Sequence, residues 1–265
     1  MDLENRIQKY NSLLTENDRK IIAYLLAHKS TTIHKSITDL SKEVHVSPAG
    51  ITRFCKKLQF ENFQQMKYAL ATSVPKEKEK KDISDIIFYY YETIIKSTKQ
   101  FITKKQISRI IAILSHANNV IFCGMGNSGV IAEEFNSRTE RMGINSQSIT
   151  DSHAMLIKST LMDSQDVLFC FSYTGRTQSV VDSARIAKDN GAKVVVITNY
   201  DETELTRIAD EVVLISSHIY MDDEKFINTQ IASLFVLDIL TYTLLENDKW
   251  MENRKKTLDS INRYG

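Results

Sequence analysis

Proline, glycine and cysteine are all scarce in this 265-residue chain, which holds two, eight and three of them. Each scarcity excludes something. The cysteines, Cys55, Cys123 and Cys170, have no C-x-x-C spacing and fall in apolar periodic segments, so they are expected as reduced, buried small hydrophobes. That leaves no basis for a disulfide framework or a metal site. No apolar run reaches the ~18 to 20 residues of a membrane span. The opening residues, Met1-Asp2-Leu3-Glu4-Asn5-Arg6, lack a basic region followed by an apolar core. A cytoplasmic protein without a membrane partner is the expectation.

Charge of one sign is also missing overall, the formal net being +1. The balance is uneven along the chain. Up to residue 105 there are 19 Lys and Arg against 12 Asp and Glu; from 106 onward there are 15 against 21. A basic part joined to an acidic remainder suggests a polyanion-binding module attached to something else, although solvated helix faces would give the same excess.

The two prolines act as punctuation. Pro75 opens Lys76-Glu77-Lys78-Glu79-Lys80-Lys81-Asp82, which has no apolar residue and reads as a solvated linker. Ile83, Ile86, Ile87, Tyr90, Ile94 and Ile95 then recur at helical spacing, predicting a helix over 83–102 that joins two domains and packs on the second. The boundaries so drawn are a first domain over 1–75, linker and connecting helix over 76–104, a second domain over 105–247 and a C-terminal tail over 248–265.

Within the first domain, Thr15-Glu16-Asn17-Asp18 has the form of a capping box ahead of a helix with Ile22, Leu25 and Leu26 on one face. A short helix over 37–44 follows, then the turn His45-Val46-Ser47. Ser47 is a favoured N-cap, and Pro48 fits the first helical position because its missing N–H would have no partner there. The helix from Pro48 buries Ile51, Phe54, Cys55 and Leu58. This is the helix-turn-helix pattern, whose second helix enters the major groove of DNA. Ser47, Pro48, Ala49 and Gly50 then approach DNA at the helix N-terminus, while Thr52, Arg53, Lys56 and Lys57 reach bases and phosphates. Gly50 inside a helix costs about 1 kcal/mol against Ala, which suggests a close approach to a partner helix or to DNA.

The second domain alternates strand-like runs at 120–123, 146–149, 167–171, 194–198 and 212–215 with helical stretches. Such alternation predicts an α/β fold with a doubly wound parallel sheet, and a largely apolar last helix over 226–245. Four of the eight glycines gather in two strand-to-helix turns, Gly124-Met125-Gly126-Asn127-Ser128 with Gly129 beside it, and Ser172-Tyr173-Thr174-Gly175-Arg176-Thr177. A helix N-terminus leaves N–H groups unpaired and carries partial positive charge, so it suits an anion. Two such turns at strand carboxyl ends suggest a phosphate held from two sides. Gly124-x-Gly126-x-x-Gly129, with Asp151 downstream, is also a literal dinucleotide fingerprint. The hydroxyls of Ser172, Thr174 and Thr177 in the second turn favour a small phosphorylated ligand instead.

The two loops and the segment 184–198 (ARIAKDNGAKVVVIT) resemble a SIS, or sugar isomerase, domain, and the stretch 47–60 (SPAGITRFCKKLQF) resembles the recognition helix of RpiR/MurR bacterial transcription regulators. The resemblance covers nearly the whole chain. It implies an N-terminal all-α helix-turn-helix bundle followed by a doubly wound SIS domain, a double-stranded DNA operator and a phosphosugar effector as partners, and a homodimer or homotetramer. It also implies that Ser128, Ser172, Thr174 and Thr177 bind the phosphate, and the ligand set is completed by Gly126, Asn127, Tyr173 and Gly175. His153 and Glu224 are expected to read the sugar. Gln59 departs from the family pattern, in which Gly often ends the recognition helix. Isomerisation would need a base. Glu133, Glu134, His153 and Glu224 are candidates without a convincing pair, so the expected role is regulation without catalysis or cofactor, with a sugar-phosphate isomerase as the alternative.

Overall fold

The computed structural model describes residues 3–33, 35–71, 82–216, 228 and 230–264. Among them the chain divides into two compact units, one ending at Thr93 and one beginning at Ile94.

The first unit is helical. It comprises α1 (Leu3–Lys9), a 3-10 turn (Asn11–Leu13), α2 (Glu16–Ala27), α3 (Lys29–Thr32), α4 (Ile37–Val44), α5 (Pro48–Lys57) and α6 (Phe63–Ala71). Capping sets the boundaries. Thr15 and Asp18 form a reciprocal capping box on α2, and Ser36 with Asp39 does the same on α4. His45, in the left-handed region at φ 52°, ends α4, and Ser47 caps α5 through Gly50 N–H at 3.2 Å. The core joins Leu3 and Ile7 of α1 to Ile21, Leu25, Leu40, Ile51, Phe54, Cys55, Leu58, Met66 and Leu70. Helices α1 and α6, which carry little periodic signal of their own, close this core.

Helix α7 (Ile83–Phe101) crosses the division between the units. Its apolar positions do not form one buried stripe. Ile83 is 75% and Ile86 44% exposed, and burial starts only at Tyr90 and continues through Ile94, Ser97 and Thr98. In the second unit Ser216 N–H donates to Thr98 Oγ1 at 3.0 Å, fastening the C-terminal half of the helix beyond the last strand.

The second unit continues with α8 (Lys104–Ser115), β1 (Asn119–Cys123), α9 (Asn127–Glu140), β2 (Ser146–Ile149), α10 (Ser152–Thr160), β3 (Asp166–Phe171), α11 (Gln178–Asp189), β4 (Lys193–Thr198), α12 (Glu204–Ile208), β5 (Glu211–Leu214), α13 (Ile231–Leu244) and α14 (Asp248–Tyr264). All five strands are parallel, in the order β2-β1-β3-β4-β5. Both faces are covered. Ile121, Cys123, Leu168, Cys170, Val194 and Val196 pack on Met155, Val180, Val181, Ala184 and Leu205. On the other face Phe122, Phe169 and Phe171 meet Phe135 of α9. The three cysteines are free and buried, as expected. Burial pushes the Cys55 thiol up to about 11, and the Cys123 thiol 3.5 Å away, together with burial, raises Cys170 far above its ordinary value.

Residues 248–265, expected as a tail, are helical through Tyr264. Asn253 Nδ2 donates to Met142 O at 3.0 Å and Thr257 Oγ1 to Arg141 O at 2.9 Å, so polar side chains hold α14 against the end of α9 with no fully buried residue. The last apolar helix begins at Ile231; residues 226, 227 and 229 lie outside the described residues.

Candidate functional sites in the two units

In the strand order 2-1-3-4-5 the chain reverses direction across the sheet between β1 and β3, and ligands of open parallel sheets sit in the crevice at the carboxyl ends of the strands there. Both signature loops leave from this point. Cys123 and Cys170, the last β1 residue and its registered partner on β3, lie one and two residues before the loops begin. Sequence spacing alone gave two strand-end loops; the register makes them neighbours.

Sterics explain the glycines. A Cβ on Gly124 would lie 2.5 Å from Ser128 O, and one on Gly129 would lie 2.8 Å from Thr150 Cγ2, so these two let α9 start tight against the sheet. Gly126 caps α9 at φ 56° with open space around it, which leaves its backbone accessible. Gly175 combines φ 64° with only 2.6 Å between a built Cβ and Thr203 Oγ1. Asn127 begins α9, and Ser128 is half-buried on its first turn. Asp151 is the N-cap of α10, accepting from Ala154 N–H at 2.9 Å, so the carboxylate a ribose would need is already occupied as a cap.

The second loop is shaped by its own hydroxyls. Ser172 Oγ accepts from Gly175 N–H at 3.1 Å and donates to Thr177 Oγ1 at 3.3 Å, while Thr174 Oγ1 accepts from Arg176 N–H at 3.2 Å. Ser172 is buried; Tyr173 and Thr174 are exposed, and Thr177 is half-buried at the N-cap of α11, where its side chain makes no capping bond. His153 lies exposed on the first turn of α10, just after β2 and on the same edge of the sheet. Glu224 lies outside the described residues. Of the candidate bases, Glu134 is engaged by Arg138 at 2.8 Å, and Arg138 also reaches Asp238 at 2.6 Å. One neighbour was not foreseen: Gln230, ahead of α13, donates from Nε2 to Asn127 O at 2.8 Å and so lies against the first loop. No motif marks such a residue, because 103 positions separate it from its partner.

In the first unit, α4, the turn 45–47 and α5 form the expected helix-turn-helix. Ser47, Pro48, Ala49, Thr52, Arg53 and Lys56 are exposed. Gly50 serves packing within the protein: a Cβ there would lie 2.6 Å from Val46 Cγ1 in the turn. Thr52 Oγ1 donates back to Pro48 O at 2.9 Å, leaving its oxygen as an acceptor. Lys57, expected to reach DNA, has its Nζ 2.5 Å from Asp18 Oδ2 of α2. Burial opposes the Asp18 charge, but Lys57 and two bonds from Thr15 outweigh it and hold this carboxyl below the usual range. At the far end of α5, Arg6 of α1 donates to Leu58 O at 3.0 Å and to Gln59 O, with its guanidinium 4.3 Å from the Phe60 ring. A cation there satisfies carbonyls the helix end leaves open.

Residues 1–77 match the rpiR-family helix-turn-helix domain and residues 113–242 match the SIS domain. An HTH-type transcriptional regulator of Clostridium perfringens is 31% identical, over 93% of this chain and 94% of that protein. The chain belongs to the RpiR family. It is a helix-turn-helix regulator with a SIS domain. Among solved structures, Vibrio vulnificus NanR, determined in complex with ManNAc-6P, superimposes with a TM-score of 0.64 at 20% identity, covering 98% of both chains. A candidate sugar-phosphate isomerase of Listeria monocytogenes shares the fold of the second unit, with a TM-score of 0.59 at 17% identity over 70% of this chain and 98% of that one. Among the described residues no helix of this RpiR-family chain is long and apolar enough to cross a membrane.

Proposed function

We propose that a phosphosugar held between the loops 124–128 and 172–177 sets the affinity of α5 and its partner in a homodimer or homotetramer for an operator. The observation that carries this reading is that two hydroxyl-bearing strand-to-helix turns leave the carboxyl ends of the adjacent strands β1 and β3. The phosphate would lie over the N-termini of α9 and α11, against the open backbone of Gly126, the amide of Asn127 and the hydroxyls of Ser128, Thr174 and Thr177. Ser172 is buried and would act chiefly by holding the loop, accepting from Gly175 N–H and donating to Thr177, with Tyr173 at the rim. Each bond to a charged phosphate contributes about 1.5–3 kcal/mol, so losing two hydroxyls is a large fraction of any effector affinity. His153 and Glu224 are proposed to read the sugar end.

Arg53, Lys56 and Ser47, on the exposed face and N-terminus of α5, are the proposed DNA contacts, together with Pro48, Ala49, Gly50 and Thr52. Ligand changes operator affinity only by binding the two arrangements of the paired DNA-binding domains unequally. The reading without catalysis is favoured by Glu134, whose carboxylate is committed to Arg138.

A thermal-shift screen of the purified chain against hexose, pentose and amino-sugar phosphates, N-acetylmannosamine 6-phosphate among them, tests the proposal. A specific effector raises the melting temperature in proportion to ln(1 + [L]/Kd) and changes the retention of promoter DNA in a gel. A panel without any stabilising member overturns the effector site, and sustained turnover of a sugar phosphate overturns the regulator-only role.

A further inference from the structure

Beside the recognition helix the first unit has a pocket of about 280 Å³ lined by Thr15, Asn17 and Asp18 of the α2 start, His45, Val46 and Ser47 of the turn, and Gly50, Arg53 and Lys57 of α5. Its chemistry is lopsided. The one carboxylate, Asp18, is 4% exposed, and its Oδ2 takes Lys57 Nζ at 2.5 Å, Thr15 N–H at 2.8 Å and Thr15 Oγ1 at 2.7 Å. That charge is therefore compensated at the back of the pocket. The exposed wall carries Arg53, for which no carboxylate partner occurs among the described residues, with the His45 ring, the Ser47 hydroxyl and the Asn17 amide around it. What remains open to solvent is a concave, donor-rich surface with uncompensated positive charge, immediately beside the helix that enters the major groove.

We infer that this pocket seats one backbone phosphate of the bound DNA strand, with Arg53 supplying the charge and Asn17, His45 and Ser47 supplying hydrogen-bond donors. Asn17 and His45 thereby become DNA contacts in addition to those on α5. The Lys57–Asp18 pair acts as a positioning device: it ties α5 to the start of α2, so the two walls of the pocket keep their spacing. Phosphate contacts of this kind fix the register of a recognition helix on the duplex without reading bases. The inference rests on the DNA-binding reading of the first unit.

Asn17 offers a clean test because it is exposed and lies in the first turn of α2, where an added carboxylate favours the helix macrodipole. Asn17→Asp therefore keeps or raises stability while placing a negative charge where the phosphate would sit. Binding of the full-length protein to a fluorescein-labelled, mixed-sequence duplex would be followed by anisotropy across a KCl series. Loss of one phosphate contact reduces the slope of log K against log[KCl] by about 0.9, equivalent to roughly a tenfold weaker complex at about 0.1 M salt. Asn62→Asp, a charge-matched change at an N-terminal capping position of α6 outside the pocket, is expected to shift binding far less. An Asn17→Asp slope equal to wild type, or an equal loss in Asn62→Asp, overturns the pocket. Competition between inorganic phosphate and DNA at constant ionic strength in wild type but not in Asn17→Asp supports the seat; a pocket that takes inorganic phosphate with no effect on DNA binding is a small-anion site, and the inference fails. Wild-type protein that does not bind duplex DNA would instead sink the DNA-binding reading itself, so the two failures are distinguishable.

Discussion

Gln59 shows how one residue carries both a family departure and its physical cost. It follows α5 at φ 60°, a conformation that costs an L-residue roughly 1–2 kcal/mol and costs Gly little. Gly would adopt this backbone without strain, and Gln59 adopts it at that cost. Arg6 helps to hold the strained turn by bonding Leu58 O and Gln59 O. Gln59→Gly leaves those carbonyls in place and should stabilise the first unit by about 0.5–1 kcal/mol. A urea melt checks this as a raised midpoint at unchanged m-value, and an unmoved or lowered midpoint refutes it. Such strain is invisible in a sequence, because only the dihedral angle distinguishes a turn that needs Gly from one that tolerates it. Lys57 makes the same point with charge. Its spacing put it on the face of Thr52, Arg53 and Lys56, yet Asp18, 39 positions away, captures it.

At the scale of elements, legibility follows burial. The central strands β1, β3 and β4 stood out as short apolar runs because both sheet faces are covered, whereas the edge strand β2, Ser-Gln-Ser-Ile, is mostly polar; the ends of all five agree with the expected runs to within one residue. Helices whose contacts are polar or one-sided gave little signal. α14 is held by Asn253 and Thr257 on backbone carbonyls, so apolar periodicity did not reveal it. α7 adds the converse, an apolar stripe at helical spacing whose first two turns are exposed and whose burial starts at Tyr90. The consequence is measurable. Ile94→Ala removes a side chain that is 2% exposed and should cost about 2–5 kcal/mol, whereas Ile83→Ala, at a site 75% exposed, should stay within about 0.5 kcal/mol. Equal effects in thermal melts would contradict the burial pattern along the helix.

At the scale of the whole molecule, the first unit carries the basic helix and the second the paired loops, so the two binding functions should separate by mutation. Arg53→Ala is expected to weaken promoter binding by about 1–3 kcal/mol, in keeping with loss of a direct Arg contact to DNA, and to leave effector binding by calorimetry unchanged. Ser172→Ala combined with Thr177→Ala should do the reverse, keeping DNA affinity while removing the response to the effector. Parallel loss of both functions in either variant would contradict this division of labour.

What the sequence determined by itself were the local matters: which segments are strand or capped helix, where a helix-turn-helix lies, and which loops carry glycine and hydroxyls. These depend on neighbours within a few positions, through periodicity, capping and turn chemistry. Only the tertiary structure decided which of those pieces meet. Strand order placed the loops after β1 and β3 side by side, and close packing of Val46 on Gly50 explained that glycine. Asp18 engaged Lys57, and Gln230 came to rest on Asn127. Each of these is a contact between residues whose separation along the chain bears no relation to their separation in space, and close packing of the folded core, rather than any local preference, selects it.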